Sequence, residues 1–259
     1  MFYQTDYSYI YGFSVSNIDI SDFLKVIMHI PDGYLSPQTY IPLIGIFVGV
    51  AAVSVKKVKK EVSARDIPYL GMAAAFSFII MMFNLPVPGG TTGHAVGSAV
   101  IAILFGPWAA TIAVSVALII QALIFGDGGI TAIGANCFNM AVFMSFVAYY
   151  IFKLLGKRSA GNKRIFFSAF ISGYLSLVMT SILAAVEFGI QPLIASDNYG
   201  KALYCPYDLS IAIPAMAIEH LLIFGIIEGI ITAIIVSYFL RNEPGLIYAF
   251  RKGGKNDNE

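Results

Sequence analysis

The chain has 259 residues, of which 58% are hydrophobic and only 12% charged, and its formal net charge is +1. Soluble proteins average about 45–50% apolar and about 25% charged residues, so the composition excludes an ordinary soluble domain and points to a polytopic membrane protein. A near-neutral balance with basic residues in short separate runs offers no surface for nucleic acid.

Residues 1–27 lack the basic start, continuous apolar run and small-residue cleavage site of a secretory signal. Asp6, Ser8, Ser14, Ser16, Asn17, Asp19, Ser21 and Asp22 also interrupt any apolar run, which argues against a spanning helix. Two readings remain for this extension. It is an interfacial aromatic tail, or it is a start-site artefact in front of a true start at Met28.

Apolar runs of roughly 17–25 residues follow, the length that crosses ~30 Å of hydrocarbon with variable tilt. We read seven transmembrane helices, at 38–55, 68–85, 93–105, 108–125, 130–152, 165–187 and 209–240, in an all-α membrane protein. The third is short, and Gly106-Pro107 after it predicts a tight reversal. The third and fourth spans then form a hairpin; a single broken helix is the alternative.

Fourteen of the sixteen Lys and Arg residues fall on one side of this topology, in runs around Lys56–Arg65, Lys153–Arg164 and Arg241–Lys255. Lys25 and Lys201 fall on the other. The positive-inside bias therefore predicts an outside amino terminus and a cytoplasmic carboxyl terminus. The expected organisation is an extension over 1–27, a seven-helix domain over 28–240 and a cytoplasmic tail over 241–259.

Small residues recur at four-residue spacing in Gly45/Gly49, Gly89/Gly93/Gly97, Ala109/Ala113/Ala117 and Gly225/Gly229. Such strips let helices approach closely, either inside the bundle or, most plausibly at Gly45/Gly49, against a partner membrane subunit.

The chain has three histidines. His29 and His94 both stand in Gly/Pro-rich segments on the predicted outer side, where the two can meet. With Met28 as a true amino terminus, its amine, the His29 amide nitrogen, the His29 imidazole and His94 make a four-nitrogen set suited to Ni(II), Co(II) or Cu(II). Asp32 can hydrogen-bond backbone, as a plain turn residue does, or orient an imidazole. Ionisable groups within or at the ends of spans are functional candidates by default; here they are His94, Asp127, Glu187, Glu219, His220 and Glu228. His220 and Glu228 lie within roughly 80° of each other on the last helix and about two turns apart. Asn136 and Asn139 cap backbone or line a pocket, and Asp127 in Gly-Asp-Gly-Gly makes a turn and caps the next helix. The chain carries no nucleotide-binding loop, no His-Glu-x-x-His and no Gly-x-Ser-x-Gly, so no catalytic residue is assigned.

From Met28 to about Phe239 the sequence resembles the CbiM/NikM family, the substrate-capturing membrane subunits of cobalt and nickel energy-coupling-factor transporters. The resemblance rests on MHIPDGYLSP (28–37), NLPVPGGTTGHAVG (84–97), FGPWAA (105–110), QALIFGDGGITAIGANCFNM (121–140) and the looser EHLLIFGIIEGIIT (219–232). It implies that Met28, His29 and His94 ligate transported Co(II) or Ni(II), with a Met-His amino terminus inserted into the bundle. It also implies a membrane coupling subunit, two cytoplasmic ATPase subunits and a small accessory membrane subunit as partners. The 27-residue extension departs from the family, because a peptide bond before Met28 removes the amine. Alternatives are a substrate subunit for an organic micronutrient and an intramembrane metalloenzyme built on His220 and nearby carboxylates.

Overall fold

Lipid offers the backbone no hydrogen-bond partner, so apolar runs satisfy their own N–H and C=O groups as helices. The computed structural model describes residues 29–62, 67–86, 92–156 and 161–250; Met28 and the extension before it, Arg65, Lys157, Arg158 and 251–259 lie outside the described residues. The helices are α1 (Pro37–Glu61), α2 (Ile67–Met81), α3 (Ser98–Phe105), α4 (Pro107–Phe125), α5 (Ile133–Leu155), α6 (Asn162–Ile194) and α7 (Leu209–Asn242). Strands β1 (Leu85–Pro86) and β2 (Thr92–Gly93) pair antiparallel between α2 and α3.

Five helices, α1, α4, α5, α6 and α7, are long and apolar enough to cross a membrane, and α2 is a shorter apolar helix of 15 residues. The predicted third span takes a different form. Its helical part, α3, has 8 residues, and at ~1.5 Å per residue it reaches only about 12 Å. The chain ahead of it, 94–97, is irregular but buried, the only setting in which such backbone is tolerated at membrane depth.

The reversal after α3 forms as the sequence predicts. Gly106 has φ +90° and Pro107 opens α4. A side chain at Gly106 would also strike the Tyr248 ring, 2.8 Å from the Cβ position. Tyr248 belongs to a segment that folds back on the bundle after α7, where Ile247 is fully buried and the Tyr248 hydroxyl donates to Glu61 Oε2 at 2.8 Å.

The small-residue strips divide by role. Gly173 of α6 faces Thr232 and the Glu228 carbonyl of α7, while Gly229 of α7 faces Phe170. Ala109, Ala113 and Ala117 are buried in the main core. Gly45 and Gly49 have open space around them on the outer face of α1. The two cysteines, Cys137 and Cys205, are buried and unbridged.

Three helices loosen into π turns, at Gln121–Phe125, Cys137–Phe143 and His220–Phe224. Such turns widen a helix locally and concentrate at functional sites. Two of the three abut the polar residues described next.

Candidate metal centre

His29 sits in the strand-like lead into α1, and its position is fixed by Asn136 at the start of α5. The Ile30 N–H donates to Asn136 Oδ1 at 2.8 Å, and Asn136 Nδ2 donates back to the Ile30 carbonyl at 3.1 Å. That two-point pairing imitates a strand ladder and locks the backbone beside the histidine. The Gly129 N–H adds a bond to the Ile30 carbonyl at 2.9 Å.

Asp32 clamps the connection between α4 and α5. Its carboxylate accepts from Ile130 N–H at 3.1 Å, Thr131 N–H at 2.8 Å and the Thr131 hydroxyl. The Thr131 hydroxyl bond, helped by the two backbone N–H bonds, outweighs the upward push of burial and holds the Asp32 carboxyl below its usual range. Asp32 thus orients the loop that faces His29, with backbone as its partner.

That loop, Gly126-Asp127-Gly128-Gly129, brings in a residue for which the sequence most simply suggests a turn and a helix cap. Asp127 Oδ1 lies 3.0 Å from His29 Nδ1, and α5 begins at Ile133 without a side-chain cap. Burial pushes the Asp127 carboxyl up, but the His29 hydrogen bond and the electrostatics of the two neighbouring imidazoles pull harder, and the net shift is down. The glycines make the approach feasible. Gly126 and Gly128 have φ of +67° and +94°, a region that side chains rarely adopt. A Cβ on Gly128 would lie 3.3 Å from His29 Cβ, and one on Gly129 would overlap the Asp32 backbone nitrogen.

His94 enters from the buried segment between β2 and α3. Its Nδ1 donates to the Ala95 carbonyl at 3.0 Å, which leaves a lone pair on Nε2. The segment is held by Glu228 of α7, fully buried, whose Oε2 accepts the N–H groups of Val96 at 2.8 Å and Gly97 at 3.0 Å. Ser77 of α2 donates to the Val96 carbonyl at 2.8 Å. Glu228 therefore satisfies the backbone N–H groups immediately ahead of α3.

The two histidines meet. Their ring centroids are 4.8 Å apart with an interplanar angle of 73°, and each residue is only 1% exposed. Among the described residues neither His29 Nε2 nor His94 Nε2 has a hydrogen-bond partner. Buried imidazole nitrogens are normally satisfied, so two adjacent free ones mark a place where something else binds. Neutral imidazole nitrogen is a ligand for borderline transition metals.

His220 is buried on the third π turn, with Nδ1 donating to the Met216 carbonyl at 2.7 Å and lying 3.4 Å from Glu219. Its ring packs toward Phe224 at 5.5 Å, and Phe224 in turn fills the space beside Gly93, next to His94. His220 thus supports the His94 segment through an aromatic intermediary. Glu187 serves a different group: Asn139 Nδ2 donates to it at 2.8 Å, while its carbonyl accepts from Gln191, which also accepts the Ser36 N–H at 2.9 Å. This network ties α6 to the start of α1, and no local sequence signal singled out Gln191.

A profile of the family described as "Cobalt uptake substrate-specific transmembrane region", CbiM, matches residues 29–246. The chain belongs to the CbiM family. It is 51% identical over 222 residues to the fused nickel transport protein NikMN of Rhodobacter capsulatus, covering 85% of this chain and 64% of that protein, so it spans just under two thirds of that relative's length. It is 34% identical to the cobalt transport protein CbiM of Lachnoclostridium phytofermentans, covering 81% of this chain and 80% of that one. A crystal structure of a truncated transition metal transporter superposes with a TM-score of 0.78 at 46% identity, covering 82% of this chain and 98% of the other. Family and helices together make the chain a multi-pass membrane protein.

Proposed function

We propose that this CbiM-family chain captures Ni(II) or Co(II) at an extracytoplasmic site built on His29 and His94 and delivers it inward as the substrate subunit of an ATP-driven importer. The observation that carries the reading is the pair of buried, adjacent imidazoles, with His94 Nε2 left without a partner among the described residues beside the His29 ring. Asn136 and Asp127 position His29, and Glu228 positions the His94 segment.

Met28 supplies the remaining donors as a free amino terminus, its amine and the following His29 amide nitrogen forming a chelate. Such a chelate closes through His29 Nδ1, the nitrogen that Asp127 touches at 3.0 Å. In that mode the carboxylate stands beside the captured dication and offsets part of its charge. Imidazole and backbone nitrogen accept nickel and cobalt alike, with selectivity left to geometry and supply.

The topology in this reading is seven crossings, amino terminus outside and carboxyl terminus cytoplasmic, over 28–240, with 241–259 as a cytoplasmic tail. The third crossing combines α3 with the extended chain ahead of it. The five residues 93–97, at no more than ~3.3 Å each, add at most roughly 16 Å to the ~12 Å of α3, close to the ~30 Å of hydrocarbon. Complete burial of 93–104 and the Glu228 bonds to the Val96 and Gly97 N–H groups support it.

The partners are a membrane coupling subunit, two cytoplasmic ATPase subunits and a small accessory membrane subunit. The fused NikMN name of the Rhodobacter relative supports a NikN-type companion. The test is nickel-63 uptake by cells expressing the chain with and without its ATPase partners, alongside mass spectrometry of the mature terminus. Partner-dependent uptake by protein beginning at Met28 is expected. A peptide spanning Ile27–Met28 in the active species overturns the amine ligand, and uptake lost on silencing the ATPases but unaffected by His29→Ala overturns the site.

A further inference from the structure

The two longest helices leave a groove open where α6 begins and α7 ends. Lys163, Phe166 and Phe167 line its α6 wall, and Ile234, Tyr238 and Arg241 are among the residues lining its α7 wall. The spacings place each set on a single helix face. The groove has a volume of about 650 Å³.

Its chemistry is graded along the helix axis. Phe167, Ile234 and Tyr238 are 61%, 57% and 60% exposed, an unusual area of uncovered apolar surface unless lipid covers it. Lys163 and Arg241 stand at the end, and among the described residues neither is paired with a carboxylate. From Ile234 to Arg241 the axis advances about 10 Å, the scale on which a bilayer passes from acyl chain to headgroup. Two further features favour an anion at the basic end. α6 starts with no side-chain cap and no acidic residue in its first turn; Arg164 and Ile165 donate to the Gly161 carbonyl, and the N–H groups of Asn162 and Lys163 ahead of them have no intrahelical acceptor. The Ser237 hydroxyl lines the same groove without a hydrogen-bond partner among the described residues.

We propose that this groove binds one anionic phospholipid, its phosphate between Lys163 and Arg241 and its acyl chain along Phe167, Ile234 and Tyr238. Charge complementarity selects an anionic headgroup over a zwitterionic one, and the apolar walls select a lipid over a soluble phosphate. Tyrosine at the boundary is where amphipathic rings settle in membranes. The site is separate from the histidine pair and does not depend on metal capture.

Native mass spectrometry of the full chain, titrated with mixed micelles of phosphatidylglycerol and phosphatidylcholine, tests the proposal. One phosphatidylglycerol retained per chain is expected, with a preference of about 30-fold from two cations near the headgroup. The K163A/R241A double variant should bring that preference down to about onefold, while K201A, in the 195–208 connection, should leave it intact. Photoreactive phosphatidylglycerol should label peptides covering 162–167 and 234–242. Equal retention of the two lipids, an undiminished preference in the double variant, displacement by inorganic phosphate, or labelling confined to other helices would each overturn it.

Discussion

His29 and His94 face each other ring to ring, centroids 4.8 Å apart, although one leads into α1 and the other lies ahead of α3. Each is placed by a partner from a third element. Asn136 of α5 grips the backbone after His29, and Glu228 of α7 grips the backbone after His94. The pair is thus a meeting point of four separate stretches of chain, and its geometry depends on Asn136 and Glu228 as well as on the histidines themselves.

Asp127 is the side chain nearest to His29 Nδ1 that carries charge, at 3.0 Å. Groups that orient a ligating histidine typically contribute 10–100-fold to metal affinity. Asp127→Asn is therefore expected to weaken Ni(II) binding by about 10–100-fold while leaving the melting temperature nearly unchanged, since Asp127 is 21% exposed. Isothermal titration and a thermal melt on the same preparation check both halves, and unaltered affinity would remove Asp127 from the site.

Glu228→Ala leaves the N–H groups of Val96 and Gly97 buried without an acceptor. At about 1–3 kcal/mol for each orphaned donor, the cost is on the order of 2–6 kcal/mol. Glu228→Gln keeps a carbonyl oxygen in place and should recover most of that loss. Thermal unfolding of both variants in the same detergent distinguishes a backbone cap, where Gln rescues, from a role that needs the carboxylate, where it does not.

Gly129→Ala puts a methyl group onto the Asp32 backbone nitrogen and the Pro31 carbonyl carbon. The loop must move, and overpacking of this kind costs about 1–3 kcal/mol. Gly45→Ala meets nothing within 4 Å and should change stability by less than ~0.5 kcal/mol. Equal melting temperatures for the two variants would contradict the close approach of the 126–129 loop to the His29 segment.

Asp32 contributes to the acid dependence of stability. Its carboxyl is held below the usual value in the folded chain, first by the Thr131 hydroxyl. Such a group stabilises fully above the unfolded carboxylate pKa of about 3.9, and the contribution disappears as pH falls through the lower folded value. Stability should be insensitive to Asp32 between about pH 5 and 7 and decline below about pH 4, with a shallower decline in Asp32→Asn. A variant curve parallel to the parent's below pH 4 would rule out this contribution.

Apolar run length made the long helices legible, and Gly106-Pro107 marked the reversal between α3 and α4. The third span was harder because its first part, 94–97, is not helical. What makes irregular chain tolerable at 94–97 is Glu228, more than a hundred residues away, and no local pattern announces a cap at that distance. His29 and His94 stood out through their rarity and glycine-rich surroundings. Asp127 did not, because Gly-Asp-Gly-Gly reads equally as a turn; only the fold shows that its glycines bring a carboxylate up to the His29 ring. Asp32, a candidate for orienting an imidazole, bonds Thr131 and Ile130 and acts one step further out.

The central claim, that the two histidines share one ion, is tested most directly by titrating Ni(II) into purified protein beginning at Met28, in parallel with His29→Ala and His94→Ala. One Ni(II) per chain is expected for the parent, with binding lost in both variants while their helical circular dichroism stays intact. Stoichiometric binding that survives in both folded variants would contradict the account.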